Sequence, residues 1–139
     1  MLIGKHHHTM DGKGRLVFPQ RFRATLGERF IVTRGLGGCL WAFSLTAWQT
    51  LSENIKTASL ADGLSLRRFF FAHAEEVEPD VQGRILISQT LRKLGRLERE
   101  IVLVGSDTYA EIWDADAWEE LSDKESEEEL LELIRKSGL

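Results

Sequence analysis

The sequence predicts an α+β fold, mainly β, built from two similar halves that pack into one pseudo-symmetric unit. The first observation is a repeat: segment 11–23 returns sixty-nine positions later as segment 80–92, with the same Asp, Gly and Arg followed by the same apolar strand. The second is that the match continues at an offset of seventy, where Ile31-Val32 returns as Ile101-Val102. Internal repetition of this extent indicates duplicated structural units, and two copies are too few for a solenoid.

Size and composition set the broad class. With 139 residues, 42% of them apolar and 29% charged, the chain suits one compact domain or two small halves that share a core. No apolar run approaches the roughly 20 residues of a membrane-spanning helix, and the first residues lack the apolar region of a signal peptide, so we expect a cytoplasmic protein. The single cysteine, Cys39, excludes an internal disulfide, and its apolar neighbours predict a buried, unreactive thiol.

Charge is distributed unevenly along the chain. The net charge is −4, yet residues 1–48 contain seven Lys or Arg and only two acidic residues, a local balance of +5 that leaves −9 for the remainder. Binding to nucleic acid depends on the local potential rather than on the sum of all charges. The basic N-terminal part therefore favours a nucleic-acid partner in spite of the acidic total.

The first half begins with a predicted strand and a tight turn. In a strand, His6 and His8 lie on one face and His7 on the other. A purification tag normally has more histidines, and zinc needs further ligands at suitable spacing. We therefore interpret the histidines as neutral strand residues and predict no metal site. Gly12 and Gly14 then allow the positive φ angles of a hairpin turn.

Local signals define the next elements of this half. Residues 16–18 form a short predicted strand that ends at Pro19, which suits the first position of a helix. That helix extends over residues 20–26, with Gly27 as its C-terminal cap. The elements that follow are a strand at 29–34, a glycine turn at 35–38, a strand at 39–43 and a helix from Thr46 to about Thr57. The spacing of Thr46 and Gln49 predicts a capping box at the start of the last helix.

The second half repeats this order after a connection at residues 58–65 that carries Asp62-Gly63. The connection is short and lacks proline, so we expect the halves not to move independently. A helical turn through Arg67 and Arg68 then leads into a strand that ends at Pro79. The remaining predicted elements are a turn at 80–83, a strand at 84–88, a helical turn at 89–94, strands at 99–105 and 109–113, and one long acidic helix from Asp116 to about Lys136.

The repeated turn admits two interpretations. In the structural one, Asp11 caps the turn and Arg15 ties the end of the strand through a charge-assisted hydrogen bond. In the functional one, the carboxylate fixes the plane of an arginine that points outward. Such a planar fork can hydrogen-bond guanine O6 and N7 together or clamp a phosphate. Both roles can coexist in one turn.

The surroundings of the first turn favour the functional interpretation, because a purely stabilising device does not need an excess of cations. The residues that we predict to bind DNA in the first copy are Lys5, Asp11, Lys13, Gly14, Arg15, Arg21 and Arg23. Those in the second copy are Asp80, Gly83 and Arg84. There Gln82 replaces Lys13 and Thr90 replaces Arg21, so we expect the second turn to contribute less to binding and more to the scaffold.

A resemblance to the MraZ family of bacterial transcriptional regulators rests on three segments. They are His8-Thr9-Met10-Asp11-Gly12-Lys13-Gly14-Arg15-Leu16-Val17-Phe18-Pro19 with Arg23, then Asp80-Val81-Gln82-Gly83-Arg84-Ile85-Leu86-Ile87, and Glu111-Ile112-Trp113-Asp114. The resemblance covers nearly the whole chain, and the two Asp-x-x-x-Arg motifs at this spacing are specific together. One departure is Ser88, which stands where the second copy of the family usually has proline at the start of its helical turn.

The resemblance implies a fold of two tandem AbrB-like swapped-hairpin β-barrel units with pseudo-two-fold symmetry, plus short helices and a C-terminal helix. The first repeat is expected at residues 1–57 and the second, with the acidic C-terminal helix, at residues 66–139. One protomer would then resemble the dimer that single-copy relatives form. The DNA-contact motif of the family carries over to Asp11 and Arg15 and, by repetition, to Asp80 and Arg84.

The resemblance also implies a partner and an assembly. Family members form ring-shaped homo-oligomers and bind G-rich direct repeats of double-stranded DNA in the promoter of their own division and cell-wall gene cluster, which predicts a cytoplasmic, nucleoid-associated protein. A ring has a physical advantage, because several weakly binding turns gain by effective concentration. Direct repeats also suit head-to-tail interfaces better than palindromic ones do.

Two other functional classes compete with DNA binding. An enzyme is disfavoured because the chain shows no phosphate loop, no metal set and no histidine partner for its cysteine, so we predict no cofactor, no small-molecule substrate and no membrane partner. A protein-interaction module without DNA is the stronger alternative, since the acidic C-terminal helix would suit it. That alternative leaves the basic turn unexplained.

Overall fold

The computed structural model describes all residues from Met1 to Leu139. Its strands are β1 (Lys5–Thr9), β2 (Arg15–Val17), β3 (Phe30–Arg34), β4 (Leu40–Ser44), β5 (Glu75–Val77), β6 (Arg84–Leu86), β7 (Glu100–Ser106) and β8 (Tyr109–Asp114). Its helices are α1 (Gln20–Leu26), α2 (Leu45–Ile55), α3 (Leu60–Phe71), α4 (Gln89–Leu94), α5 (Ala115–Lys124) and α6 (Glu127–Ser137). An antiparallel sheet organises these elements, which confirms the predicted α+β, mainly β class.

The sheet shows how the two halves combine. Six strands form one sheet in the order β1-β7-β8-β4-β3-β5, while β2 and β6 pair separately as a two-stranded ribbon. The strand that opens each half pairs with the other half, since β1 lies beside β7 and β5 lies beside β3. The centre of the sheet is the pair of β4 and β8. The halves are therefore exchanged around a pseudo-two-fold axis, as the swapped arrangement requires.

One hydrophobic core lies between the sheet and the ribbon. Nineteen buried apolar residues from both halves form a single cluster. The ribbon and the residues that follow it contribute Leu16, Phe18, Ile85 and Ile87, none of which is more than 1% exposed. Each such side chain stabilises the fold by about 1.5–3 kcal/mol when fully buried. Neither half has a core of its own, because the same cluster holds residues of both.

The two Asp–Arg turns contact each other's half through their glycines. The carbonyl of Gly14 accepts a hydrogen bond from the amide of Ile87 at 2.8 Å, and the carbonyl of Gly83 accepts one from the amide of Phe18 at 2.9 Å. Both glycines have positive φ, +87° for Gly14 and +79° for Gly83. Glycine is required at both positions because this conformation is costly for any residue with a Cβ.

An arginine of the opposite half covers each turn glycine. A Cβ built on Gly14 would lie 2.9 Å from Nε of Arg92, and one built on Gly83 would lie 2.8 Å from Nε of Arg23. Arg23 belongs to α1 and Arg92 to α4, so each short helix packs its arginine on the turn of the other repeat. The repeated Arg at these positions therefore serves the contact between the halves.

Short helices begin where the sequence predicts them, although their caps differ. α1 spans Gln20–Leu26 as predicted, after Pro19 and before Gly27 with φ of +95°. In the second half, Ser88 occupies the place of Pro19, and its hydroxyl accepts a hydrogen bond from the amide of Leu91 at 3.2 Å. A side-chain cap thus replaces a proline start, and α4 forms in spite of the departure from the family pattern.

The predicted capping box at Thr46 and Gln49 is wrong. Thr46 lies within α2, which begins at Leu45, and the cap is Ser44, whose hydroxyl accepts a hydrogen bond from the amide of Ala47 at 3.0 Å. Ser44 is the last residue of β4, so the chain turns directly from strand to helix. Ser44 lies two residues before Thr46 and outside the capping-box pattern, so spacing alone did not identify it.

The connection between the halves is largely helical, because α3 covers Leu60–Phe71, which corrects the prediction of only a helical turn at Arg67 and Arg68. Ser59 caps α3 by accepting a hydrogen bond from the amide of Asp62 at 3.2 Å. Gly63 lies inside α3 and is buried, with the carbonyl of Ile55 3.5 Å from the position of a Cβ there. The contact with Ile55 would be an ordinary van der Waals distance for a Cβ, so the helix would also accommodate a small side chain at this position.

The single long C-terminal helix is also wrong, because it is divided into α5 and α6. Glu125 is extended, with φ of −75° and ψ of 123°. Ser126 then caps α6 by accepting a hydrogen bond from the amide of Glu129 at 3.1 Å. Asp114 caps α5. Only the first residues of α5, Ala115, Ala117 and Trp118, pack on the core, and no residue of α6 is buried, so no core contact extends across the break between the helices.

One further prediction concerns the single cysteine. Cys39 is fully buried, as expected, and its thiol donates a hydrogen bond to the carbonyl of Leu36 at 3.3 Å. Burial is the main cause that raises the pKa of this thiol to about 12, which makes the thiolate inaccessible at neutral pH. None of the helices combines the length and the apolar character that crossing a membrane demands.

Gly14→Ala is expected to lower the free energy of unfolding by at least ~2 kcal/mol, since the methyl group would meet the carbonyl of Ile87 at 2.5 Å in a left-handed backbone. Urea denaturation measures the change. The matched control is Gly12→Ala in the same turn, where nothing lies within 4 Å of the added Cβ. Equal stabilities of the two variants would contradict the constraint at Gly14.

Candidate nucleic-acid interface

Asp11 organises the first turn through three donors. Its Oδ1 accepts hydrogen bonds from the amides of Lys13 and Arg15, both at 2.9 Å. Its Oδ2 accepts a hydrogen bond from Nε of Arg15 at 2.6 Å, which is also an ion pair. The backbone closes the turn, because the amide of Gly14 donates to the carbonyl of Asp11 at 3.0 Å. One carboxylate thus fixes both the backbone of the turn and the side chain of its arginine.

The second turn reproduces this geometry. Oδ1 of Asp80 accepts hydrogen bonds from the amides of Gln82 and Arg84 at 2.9 Å, and Oδ2 accepts one from Nε of Arg84 at 2.8 Å. The replacement of Lys13 by Gln82 changes none of these contacts, because position 82 contributes only its backbone amide. The sequence repeat is therefore a structural repeat at the level of single hydrogen bonds.

The turn shifts the protonation equilibrium of its carboxylates. Hydrogen bonds to the ionised form lower the pKa of Asp11 to about 2, first from the amide of Arg15, then from the guanidinium of Arg15 and the amide of Lys13, against a partial desolvation that raises it. The pKa of Asp80 is lowered for the same reasons, with the amide of Arg84 as the main cause. Both carboxylates are therefore ionised at every physiological pH, and each arginine stays paired with its aspartate.

The pairing with Asp11 leaves the outer edge of the Arg15 guanidinium free. Only Nε is used, and neither Nη group of Arg15 donates a hydrogen bond within the protein. The side chain of Arg15 is 39% exposed and that of Arg84 is 32% exposed. The structural and the functional interpretations of the turn thus hold together: the carboxylate stabilises the turn and orients a fork whose two outer donors face solvent.

The ribbon places both arginines on one surface. Side chains alternate along a strand, and Leu16 and Ile85 point into the core as paired residues. Arg15 and Arg84 therefore project from the opposite, outer face. Arg84 pairs with Val17, two residues from Arg15, which puts the two Cα atoms roughly 8–9 Å apart by strand geometry. A two-stranded ribbon fits the major groove of B-DNA, about 12 Å wide.

The remaining predicted residues divide into two groups. Lys5, Lys13 and Arg21 are exposed, on β1, the first turn and α1. Gly14 and Gly83 are buried and support the turns from behind through their carbonyls. Arg23 also faces the protein, because its Nε donates to the carbonyl of Phe18 at 2.9 Å and its guanidinium covers Gly83.

The structure adds a set of cations that the sequence prediction missed. A cavity of about 720 Å³ lies beside the first turn, between residues 9–12 and the segment of the second half that runs from α4 to β7. Its charged lining residues are Arg92, Lys93, Arg96 and Arg99 with Asp11 and Glu98. We call it the cationic cavity. Apart from Arg84, the prediction considered only the cations within residues 1–48, whereas strand exchange brings further cations of the second half to the first turn.

The pseudo-symmetric counterpart of this cavity has the opposite charge. A cavity of about 670 Å³ lies beside the second turn, lined by α1 and the residues that precede the turn. Its charged lining residues are Glu28, Glu78 and Asp80 with Arg23. We call it the acidic cavity. The two turns are nearly identical in geometry, yet one borders a surface of positive potential and the other a surface of negative potential.

The histidines of β1 have a structural place. His6 packs edge-to-face on Phe22, with 5.1 Å between the ring centroids. His8 is half-buried, and burial is the main cause that lowers its pKa, with smaller contributions from His6 and His7. The chain contains no group of three or more His, Cys, Asp or Glu side chains placed to hold a metal ion.

Comparison with known proteins identifies similar chains. Residues 1–66 and 70–133 match the sequence profile of a family described as "MraZ protein, putative antitoxin-like". A protein of Caldanaerobacter subterraneus subsp. tengcongensis is 44% identical over 124 residues, which is 88% of this chain and 87% of the relative. It bears the name transcriptional regulator MraZ.

Two further relatives bear the same name. The protein of Acetivibrio thermocellus is 42% identical over an alignment of 143 positions that covers both chains completely. The protein of Pelotomaculum thermopropionicum is 47% identical over 121 residues, which is 86% of this chain and 83% of the relative. The match therefore includes both turns, the ribbon and the sheet.

The pKa of Asp11 provides a test of the turn. Because this pKa lies below its unfolded value of about 3.9, the contribution of the turn to stability is complete above that value and is lost as the pH falls toward about 2. Carboxyl chemical shifts measured by NMR should show Asp11 titrating near pH 2. In Arg15→Ala the pKa of Asp11 should rise only part of the way to its unfolded value, because the backbone amide of residue 15 remains as the main hydrogen-bond donor. A return to the ordinary value would show that the guanidinium, rather than the backbone, holds the carboxylate.

Proposed function

The chain belongs to the MraZ family, and from this premise we propose that it is a sequence-specific, DNA-binding transcriptional regulator. The observation that carries the proposal is the pair of Asp–Arg turns on one ribbon, with the outer edges of Arg15 and Arg84 free. A stabilising ion pair alone would not need its arginine at the surface. The names of the relatives, which describe transcriptional regulators, support the same function.

The geometry supports recognition of guanine. An arginine whose Nε is already bonded to a carboxylate has its plane set, and its Nη donors can reach O6 and N7 of one guanine. This preorganisation reduces the conformational entropy that binding would otherwise cost. Two such forks on one ribbon suit the G-rich sites that the family resemblance implies. We therefore propose that Arg15 and Arg84 contact guanine bases and that Lys13, Lys5 and Arg21 contact phosphates.

The finer proposals concern the site and the assembly. We propose that the target is a set of direct repeats in the promoter of the division and cell-wall gene cluster that encodes the protein, in the compartment that holds the chromosome. We further propose a ring of protomers, in which the repeats 1–57 and 66–139 of each chain act as one unit. A ring supports this function physically, because several sites on one DNA molecule raise the effective concentration of each turn.

The alternative function, a protein-interaction module without DNA, has one observation in its favour. Four apolar residues of α6 are 42–56% exposed, namely Leu130, Leu131, Leu133 and Ile134. A salt titration of DNA binding separates the two functions. The logarithm of the affinity for duplex DNA should fall linearly with the logarithm of the salt concentration if several phosphates are contacted. A chain that does not bind its own upstream DNA at low salt would support the alternative instead.

Arg15→Ala is expected to abolish detectable binding to the upstream DNA of the gene, because the fork that contacts guanine is removed from every protomer. Gel-shift titration measures the binding and a thermal melt measures stability, which should change little since the backbone donors to Asp11 remain. Arg15→Lys is the matched control for charge: it retains the cation but not the planar fork. It should therefore bind unrelated DNA nearly normally and lose preference for the promoter. If the Arg15→Ala protein is unfolded, Arg15 serves to stabilise the fold rather than to bind DNA.

Arg84→Ala is expected to weaken promoter binding less than Arg15→Ala does. The two arginines have the same contacts to their aspartates, but Arg84 lies beside the acidic cavity and Arg15 beside the cationic one. Filter binding of both variants at one salt concentration gives the ranking. A defect of Arg84→Ala that equals or exceeds that of Arg15→Ala would contradict it.

A further inference from the structure

The cationic cavity contains positive charges that the protein itself does not neutralise. Arg92, Lys93 and Arg96 have no carboxylate oxygen within 4 Å, whereas Arg99 has only a loose contact of 3.7 Å with Glu100. Nε of Arg92 is buried and lacks a hydrogen-bond partner, although its counterpart Arg23 donates to a carbonyl. Buried donors in proteins are normally paired. A cluster of unpaired cations beside a polar cavity is typical of a site for an anion.

The backbone at Arg96 points to the same conclusion. This residue has a φ of +53°, in the left-handed region that L-residues with side chains rarely adopt. The pseudo-equivalent position in the first half is Gly27, with a φ of +95°. Glycine would thus be the unstrained residue at position 96. An exposed arginine stands there instead, and it borders both the cationic cavity and a neighbouring cavity in which its guanidinium lies near Gly38. Strain of this kind is found at functional sites.

We infer that the cationic cavity is a phosphate-binding site, in which Lys93 and Arg96 form the exposed contacts and Arg92 supplies positive charge from behind. The inference rests on the proposed function, because the cavity adjoins the Asp11 turn and a duplex held by that turn brings its backbone phosphates alongside. The same chemistry would accept a free phosphate or diphosphate group. Duplex DNA would then be bound asymmetrically, since the acidic cavity beside the second turn repels the backbone.

The pseudo-symmetry of the chain supplies the test variant. Lys93→Ala with Arg96→Gly copies Ala24 and Gly27, the residues at the same places in the acidic cavity. Folding should be retained, because glycine relieves the strained φ at position 96. Lys93→Glu is a second variant that leaves position 96 unchanged. The control for net charge is Lys124→Ala with Arg135→Ala, on α5 and α6, which removes the same two charges elsewhere.

The DNA arm of the experiment measures the affinity of the full chain for its upstream duplex and for an unrelated duplex, from roughly 50 to 200 mM salt. The expected result is that Lys93→Ala/Arg96→Gly flattens the salt dependence by about 1–2 units of slope, roughly one for each phosphate that the variant no longer neutralises. The loss of affinity relative to wild type should be similar on both duplexes and about 3-fold to 4-fold larger at the lower salt concentration than at the higher one for each such phosphate. The control variant should match wild type.

The second arm titrates inorganic phosphate and pyrophosphate into the protein without DNA, by calorimetry. A flatter slope in the DNA arm without pyrophosphate binding assigns the site to the DNA backbone. If the double variant abolishes pyrophosphate binding but leaves the salt dependence of DNA binding unchanged, the cavity binds a free phosphorylated ligand.

The inference is overturned if the double variant and Lys93→Glu match wild type in both arms, or if the control variant produces the same defect. Failure of wild type to bind any DNA would refute the proposed function, and the pyrophosphate arm alone would then decide the site.

Discussion

The structure depends on the exchange of backbone hydrogen bonds between the two glycine turns. Each turn is closed by its own aspartate, but the carbonyl of its glycine is bonded to the strand end of the other half. Only glycine permits both the positive φ and the close approach of the carbonyl of Ile87 to Gly14. The ribbon, the pairing of β1 with β7 and of β5 with β3, and the common core follow from this exchange. Neither half can form these contacts alone.

The same exchange determines the charge around each turn. Because α4 of the second half packs against the first turn, the cations of α4 and of the residues after it lie beside Asp11 and Arg15. Glu28, which follows α1 of the first half, lies beside the second turn for the corresponding reason, and Glu78 lies there because it precedes Asp80 by two residues. Duplication produced two turns with the same hydrogen bonds, and divergence of the residues behind them made the two turns electrostatically different. A pseudo-symmetric protein can therefore present an asymmetric surface to DNA.

Within each turn, stability and presentation of the arginine share one carboxylate. Asp11 accepts two backbone amides and the Nε of Arg15, so its low pKa, of about 2, reflects a full set of donors. The guanidinium is held by one edge and free at the other. A substitution of the aspartate would disturb both functions at once, whereas a substitution of the arginine leaves the backbone bonds in place. This difference makes the arginine the informative residue for function.

The sequence alone determined the features that depend on local chemistry. The repeat located both turns, and the Asp-x-x-x-Arg spacing indicated the Asp–Arg pairing that both contain. Of Gly12 and Gly14, which the sequence allowed a positive φ, only Gly14 has one. Helix α1 was also correct at both ends, because Pro19 and Gly27 are strong local signals. The class of the fold and the family follow from the same motifs.

Tertiary structure decided the features in which local signals compete or distant residues meet. Residues 60–66 continue the helix predicted only at Arg67 and Arg68, because Ser59 caps α3 upstream and Gly63 is buried within it. The C-terminal helix is interrupted because Ser126 starts a new one where no core contact favours continuity. The cationic cavity was not predictable from composition, since Arg92, Lys93 and Arg96 are some eighty residues from the turn that they adjoin. Their proximity arises only from strand exchange, which is a property of the packed sheet and not of any segment.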